Sequence, residues 1–208
     1  YWEALTYVFE NEKNGIFFVF LDPNQAIYAN EIDGIPIKEE PFHLSMNCRN
    51  TEYIHNAAYR FFEGESTDPP TGNQGVPIET LVSSTLKKQA LAIYNSIVEK
   101  FSEGLQENQI TVLIADSEKH PLYEELEKFK LPSSSSWNIE GSILEKGVRV
   151  DTVSRFKGLE SDLIFLWGID YLELPTNREL LYVGISRAKS RLVLVGTQEA
   201  CDLCLSSS

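Results

Sequence analysis

No Gly-x-x-x-x-Gly-Lys-Ser/Thr stretch occurs anywhere in the 208 residues. That excludes a self-contained phosphate loop, in which backbone N–H groups cradle a nucleotide's phosphates. No apolar run reaches the roughly 18 residues that a membrane span needs, so no membrane contact is expected. No secretory signal pattern is present. Cysteine is scarce: Cys48, Cys201 and Cys204 cannot build a disulfide framework, which points to a reducing, cytoplasmic setting. Cys201 and Cys204 form a lone C-x-x-C with no second pair to complete a zinc site, and they read as half-buried structural cysteines. Basic residues are few, 18 Lys and Arg against 31 Asp and Glu, for a net charge of −13. Generic nucleic-acid binders are basic overall, so any nucleic-acid contact here must be local. There is a single Met, at position 46, and the opening Tyr1-Trp2-Glu3-Ala4-Leu5 reads as the interior of a longer protein.

What is present is an alternation of short apolar runs and amphipathic segments. Residues 1–12 carry Trp2, Leu5, Val8 and Phe9 at helical spacing, and the continuous apolar run 16–21 reads as a strand buried on both faces. A short strand is expected over 42–46, then a helix over 52–62 capped by Asn50-Thr51. After the Gly/Pro-rich loop 63–77 come a strand at 78–82 and a helix at 85–101. That helix has Leu86, Ala90, Ile93, Ile97 and Val98 on one face, with Lys87, Lys88, Asn95 and Lys100 largely off it. Strand 110–115 and helix 121–129 follow, then a Ser-rich linker at 131–137. Strands at 148–153 and 162–168 flank a tight turn, and helix 177–189 leads into strand 191–196. The alternation predicts an α/β fold with a mainly parallel sheet and helices on both faces. Ligands of such sheets sit at the carboxyl ends of the strands.

Four clusters that follow strands carry residues suited to chemistry. In "FFVFLDPNQAIY", 17–28, Gln25 can orient a water or a phosphate oxygen, although Asp-Pro-Asn is also ordinary turn chemistry. In "LSMNCRNT", 44–51, Arg49 stands just before a helix start, where it can reach an anion or simply face solvent. In the stretch 149–170, Gly158 permits a close turn, Glu160 can accept from a sugar hydroxyl, and Lys157 is either part of that site or solvated. In "NRELLYVGISRAKSRLVLVG", 177–196, Leu180, Leu181, Gly184 and Ala188 define the apolar face. Arg187 lies at its edge and Lys189 points outward. A half-buried guanidinium is costly without an anion, which is either a carboxylate of this chain or a phosphate.

Taken in order, these clusters resemble the later motifs of the UvrD/Rep-type helicases of superfamily 1. "LDPNQAIY" resembles the third motif, "LSMNCRNT" the fourth, "TVSRFKGLESDLIF" the fifth and "ELLYVGISRAKSRLVLV" the sixth. The resemblance implies a RecA-like fold, with residues 1–35 as the tail of a first RecA-like domain and 36–208 as the second. It implies that Gln25, Arg49 and Arg187 act on the γ-phosphate of ATP, with Gly158, Glu160 and Lys157 around the nucleotide. It implies contacts to single-stranded DNA from Tyr28, Thr152 and Ser154. The phosphate loop and the ligands of Mg2+ would lie in the upstream RecA-like domain of the same parent chain. Three positions depart from the family pattern: Cys48 stands where Tyr is usual, Ser154 where His is, and Asn30 where Trp is. The interval between the fourth and fifth motifs is also short. Two other readings stand beside the motor domain. One is a degenerate RecA-like module used for binding or regulation, and the other is an unrelated α/β domain whose arginines are paired internally.

Overall fold

A computed structural model describes residues 7, 18–20, 22, 25, 42, 47–63, 68, 70, 72–115, 118–132, 135–141 and 146–205. The expected helix over 1–12, the strand over 42–46, Tyr28 and Asn30 lie wholly or mostly outside the described residues, as does most of 1–35. Six strands form one all-parallel sheet: β1 Glu79–Val82, β2 Ile110–Ile114, β3 Trp137–Ile139, β4 Val148–Thr152, β5 Ser161–Trp167 and β6 Ala188–Gly196. Their order across the sheet is β1-β6-β5-β2-β4-β3. Five α-helices accompany them among the described residues: α1 Glu52–Tyr59, α2 Leu86–Ser102, α3 His120–Glu127, α4 Arg178–Ser186 and α5 Gln198–Leu205.

β2 is buried at every position, and β5 at all but Asp162. Alternate residues of the central strands feed opposite faces, as the strand period requires. Leu113, Ile164, Leu166, Leu192 and Leu194 meet α1, α4 and α5 on one face. Val112, Ile114, Phe165, Trp167, Val193 and Val195 meet α2 and α3 on the other. The expected α/β fold with helices on both faces is therefore present. A buried polar knot ties the carboxyl ends of β1, β5 and β6 together. Gln89 donates to the Ser83 carbonyl and to Asp170, each at 2.8 Å, and accepts from the Trp167 indole N–H at 2.7 Å. Asp170 in turn accepts the Thr197 N–H at 2.6 Å.

Several expectations need correction. The described part of 16–21, residues 18–20, belongs to no strand, and Phe18 and Phe20 are exposed, because no sheet edge among the described residues pairs with them. Thr51 sits at the start of α1, but its side chain makes no capping bond. The first helical N–H groups bond instead to the Asn73 and Gln74 carbonyls of the following loop, at 2.9 and 3.5 Å. Lys100, expected off the apolar face of α2, is buried. It stands one turn beyond Ile97 and Ser96, so its stem packs inward while Nζ reaches Glu103 at 3.1 Å and Glu79 at 3.9 Å. The Ser-rich linker ends in an edge strand, β3, too short to show in sequence periodicity. The helix expected to run to 189 stops at Ser186, and Lys189 lies on β6, where it pairs with Asp162 at 2.9 Å. The tight turn of 153–160 is a crossover, because β4 and β5 are parallel and separated by β2.

The C-x-x-C lies on α5, a helix not foreseen, with both thiols in the core. Burial pushes Cys201 up to about 11 and Cys204 up to about 12. No helix among the described residues is long and apolar enough to cross a membrane. Two outcomes are expected. With a thiol-reactive chromogenic disulfide at about pH 8, only the exposed Cys48 reacts in the folded chain, and the other two react on unfolding. Gln89→Met leaves the Trp167 indole N–H unpaired and lowers stability by about 1–3 kcal/mol, read as a fall in the urea midpoint.

Candidate functional site: an arginine-lined cleft at the amino ends of β5 and β6

Asn47 builds the first wall. Its Oδ1 accepts the backbone N–H groups of Arg49 at 2.9 Å and Asn50 at 3.2 Å, an Asx-type turn that presents the Arg49 side chain. Asn50 is buried, and its Nδ2 donates to the carbonyls of Ser186 at 3.0 Å and Ala188 at 2.6 Å. Those two residues flank Arg187, so Asn50 fixes the backbone on either side of it. Helix α4 supplies the second wall. Gly184 lets this helix approach β5: a Cβ there would meet Leu166 Cδ1 at 2.9 Å and Val153 Cγ2 at 3.2 Å.

Arg187 is 2% exposed at the end of α4. Its Nε donates to the Val183 carbonyl at 3.2 Å and its Nη2 to Ser186 Oγ at 3.0 Å, both neutral oxygens. No carboxylate among the described residues lies within ion-pair distance of it. Burial, and then the nearby Arg49 charge, disfavour its charged form. A guanidinium does not lose its proton under such pressure. The arrangement therefore holds a desolvated positive charge in want of an anion.

Around it opens a cleft of about 690 Å³ whose lining includes Asp22, Gln25, Cys48, Arg49, Glu160, Tyr182, Arg187 and Lys189. Gln25 donates to Asp22 at 2.7 Å, and Tyr182 donates to the same carboxylate oxygen at 3.2 Å. Burial first, and then Asp22, push the Tyr182 phenol upward, so it remains a donor. Arg49 pairs with Glu160 at 3.2 Å. Lys157 donates to the Gln25 carbonyl at 2.6 Å. Gly158 has φ +90°, a left-handed conformation that glycine adopts without strain, and this turns the chain toward Glu160.

Four of the nine sequence-predicted site residues, Gln25, Arg49, Glu160 and Arg187, line this cleft. Lys157 reaches it through the Gln25 backbone, and Gly158 shapes the approach. Thr152 and Ser154 lie elsewhere, in a hollow of about 310 Å³ at the carboxyl ends of β2 and β4. The cleft itself lies at the amino ends of β5 and β6, contrary to the carboxyl-end expectation. Glu160 and Arg187 each precede a strand. Tyr182 and Asn50 were not foreseen as site residues. Tyr182 and Ser186 are four apart and so share one face of α4, a spacing that could have flagged them. Nothing local in the sequence marks Asn50 as a site residue, because the Ser186 and Ala188 carbonyls that it holds are more than a hundred residues away. Among the described residues no group of three His, Cys, Asp or Glu side chains is placed to hold a metal ion.

Residues 147–195 match the UvrD-like helicase C-terminal domain. The matched segment runs from β4 to β6 and includes Thr152, Ser154, Lys157, Gly158, Glu160 and Arg187. Gln25 and Arg49 lie outside it. Among solved structures, the C-terminal domain of a possible DNA helicase from Lactobacillus plantarum WCFS1 has a similar fold. Its TM-score is 0.56 at 20% identity, over 72% of this chain and 86% of that one. At that identity the likeness is one of fold. No curated protein matches the chain. The matched segment is thus similar to UvrD-like helicase C-terminal domains, and the fold to that of a possible helicase's C-terminal domain. The cleft carries a stability prediction. Arg187→Met removes a desolvated charge that has no carboxylate partner, and raises the unfolding free energy by about 1 kcal/mol or more in urea titration.

Proposed function

We propose that the chain is the second motor domain of an ATP-dependent helicase or translocase acting on single-stranded DNA. The observation that carries this reading is the buried Arg187 guanidinium, which opens beside Arg49 on a cleft and has no carboxylate at ion-pair distance among the described residues. Positioned guanidinium groups stabilise the charge that develops on a transferring phosphoryl group. In this reading Arg49 and Arg187 reach the γ-phosphate and Gln25 senses it. Glu160 leaves Arg49 to accept from the ribose. Lys157, bonded to the Gln25 carbonyl, holds Gln25 against the 153–160 crossover.

The donor set suits a polyphosphate, whereas the described residues lack a cluster for its metal. Mg2+ would neutralise phosphate charge when bound, and its ligands would belong to the preceding RecA-like domain, with the phosphate loop. That division places 1–35 with the first domain and 36–208 in the second. Thr152 and Ser154, at the other end of the sheet, would contact the strand, together with Tyr28. A second reading, a RecA-like module kept for binding or regulation, draws support from Cys48. This exposed thiol lines the cleft where the resembled family usually has an aromatic ring.

The test is nucleotide turnover. The chain alone should bind ATP weakly and hydrolyse none, and turnover near the usual enzyme rate of about 10 per second by the chain alone would sink the reading. In the parent protein, Arg49→Ala with Arg187→Ala should lower DNA-stimulated ATPase by roughly 10³–10⁵-fold with folding nearly intact by circular dichroism. Loss of folding would instead mean internally paired arginines. A parent protein with no ATPase at all would leave the binding module.

A further inference from the structure

We propose that Asn50 is a positioning residue: it ties the Arg49 backbone to the Arg187 backbone, so that the two guanidinium groups meet one anionic ligand at a fixed spacing. The inference rests on the arginine reading above and names the residue that makes the two a pair. Both arginines line one cleft, and like charges repel, so their spacing must be held by the segments that carry them.

The hold runs through two side-chain amides. Asn47 Oδ1 accepts the Arg49 N–H at 2.9 Å and the Asn50 N–H at 3.2 Å. With its oxygen so engaged, Asn47 turns its NH2 group the other way. That group donates to Asn50 Oδ1 at 2.9 Å and meets His55 Nδ1 at 3.0 Å. Asn50 Nδ2 then donates to the Ser186 carbonyl at 3.0 Å and the Ala188 carbonyl at 2.6 Å. The path from one arginine to the other is therefore hydrogen-bonded at every step. The Arg187 carbonyl is engaged too, by the Ser161 N–H at 3.1 Å. Three consecutive carbonyls, 186 to 188, are pinned, and Glu160 stands next to the third pin.

Only an amide suits this place. Asn50 uses both amide hydrogens on the two carbonyls and its oxygen on Asn47. Serine offers one donor and an ionised aspartate none, so neither could serve all three. The burial of Asn50 matters as well, since water is kept from competing for these bonds. A helix end satisfied by water alone is free to drift, whereas the end of α4 is anchored to the segment that carries Arg49. Charges held in place stabilise a transition state without reorganising, and a displacement of about 1 Å can cost on the order of 10²-fold in rate.

The test is a double-mutant cycle on the DNA-stimulated ATPase of the parent protein. Asn50→Ala should lower kcat by roughly 10²-fold. In an Arg187→Ala background the same change should cost less than about twofold, because the group that Asn50 positions is gone. A purely structural role gives the opposite result, since a smaller folded fraction lowers both backgrounds by the same factor. Equal losses in the two backgrounds overturn the inference, as does full activity of Asn50→Ala. If circular dichroism shows Asn50→Ala unfolded, Asn47→Ser decides. Its hydroxyl keeps a turn acceptor but drops the bond to Asn50 Oδ1. Its loss of kcat should also vanish in the Arg187→Ala background, and a loss that persists there, or no loss at all, overturns the inference. Should Arg187→Ala itself leave the ATPase whole, or the parent show none, the arginine reading falls and this inference with it. Should Arg187→Ala remove most of the activity while Asn50→Ala removes none, only this inference falls.

Discussion

All six strands run the same way, and that one constraint organises everything else. A parallel pair cannot be closed by a hairpin, so each connection must travel the length of the sheet before the next strand begins. Residues adjacent in sequence then arrive at opposite ends of the molecule. The segment 153–160 shows it most clearly. Thr152 and Ser154 stand at the carboxyl end of β4, and Gly158 and Glu160 stand before β5 at the other end. A single short motif thereby serves two cavities. Val153 and Phe156, both buried in the core, fasten the segment between them.

The cleft reverses the usual economy of a protein interior. A buried charge is normally neutralised by a carboxylate, and here the guanidinium of Arg187 meets only the Val183 carbonyl and the Ser186 hydroxyl. The nearest carboxylates are engaged with other donors: Asp22 with Gln25 and Tyr182, Glu160 with Arg49. The fold tolerates this because Asn50 and the close approach of Gly184 hold the helix end in place. Stability is surrendered at one residue, and a desolvated positive charge is left at the cleft.

The sequence made the strands of the sheet's centre legible, because strands buried on both faces read as continuous apolar runs; 110–115 and 162–168 are the clearest cases. It also made legible four residues that come together, since Gln25, Arg49, Glu160 and Arg187 do share one cleft. It did not show where that cleft lies, because strand polarity is a property of the assembled sheet and not of any one segment. Lys100 was misplaced because a charged head says nothing about its aliphatic stem. Thr51 was misread because the helix start finds its partners in a loop more than twenty residues later. β3 is three residues long, too short for any periodicity to register.

The 153–160 crossover has almost no spare length. Ile114 pairs with both Thr152 and Trp167, so those two residues stand level, and Ser161 lies six residues back along β5, about 20 Å away. The path must also pass over β2, two strand spacings sideways, which makes the diagonal about 22 Å. The Phe156 N–H bonds to the Thr152 carbonyl at 3.0 Å, so four of the nine steps rise helically and cover only about 6 Å. A second turn follows, where the Leu159 N–H bonds to the Phe156 carbonyl at 3.0 Å, so few steps are left to run extended. The strap is taut. Most surface loops absorb a deletion, but this one can lose a residue only by unwinding one of its two turns. Its length, as much as its composition, is therefore fixed by the sheet.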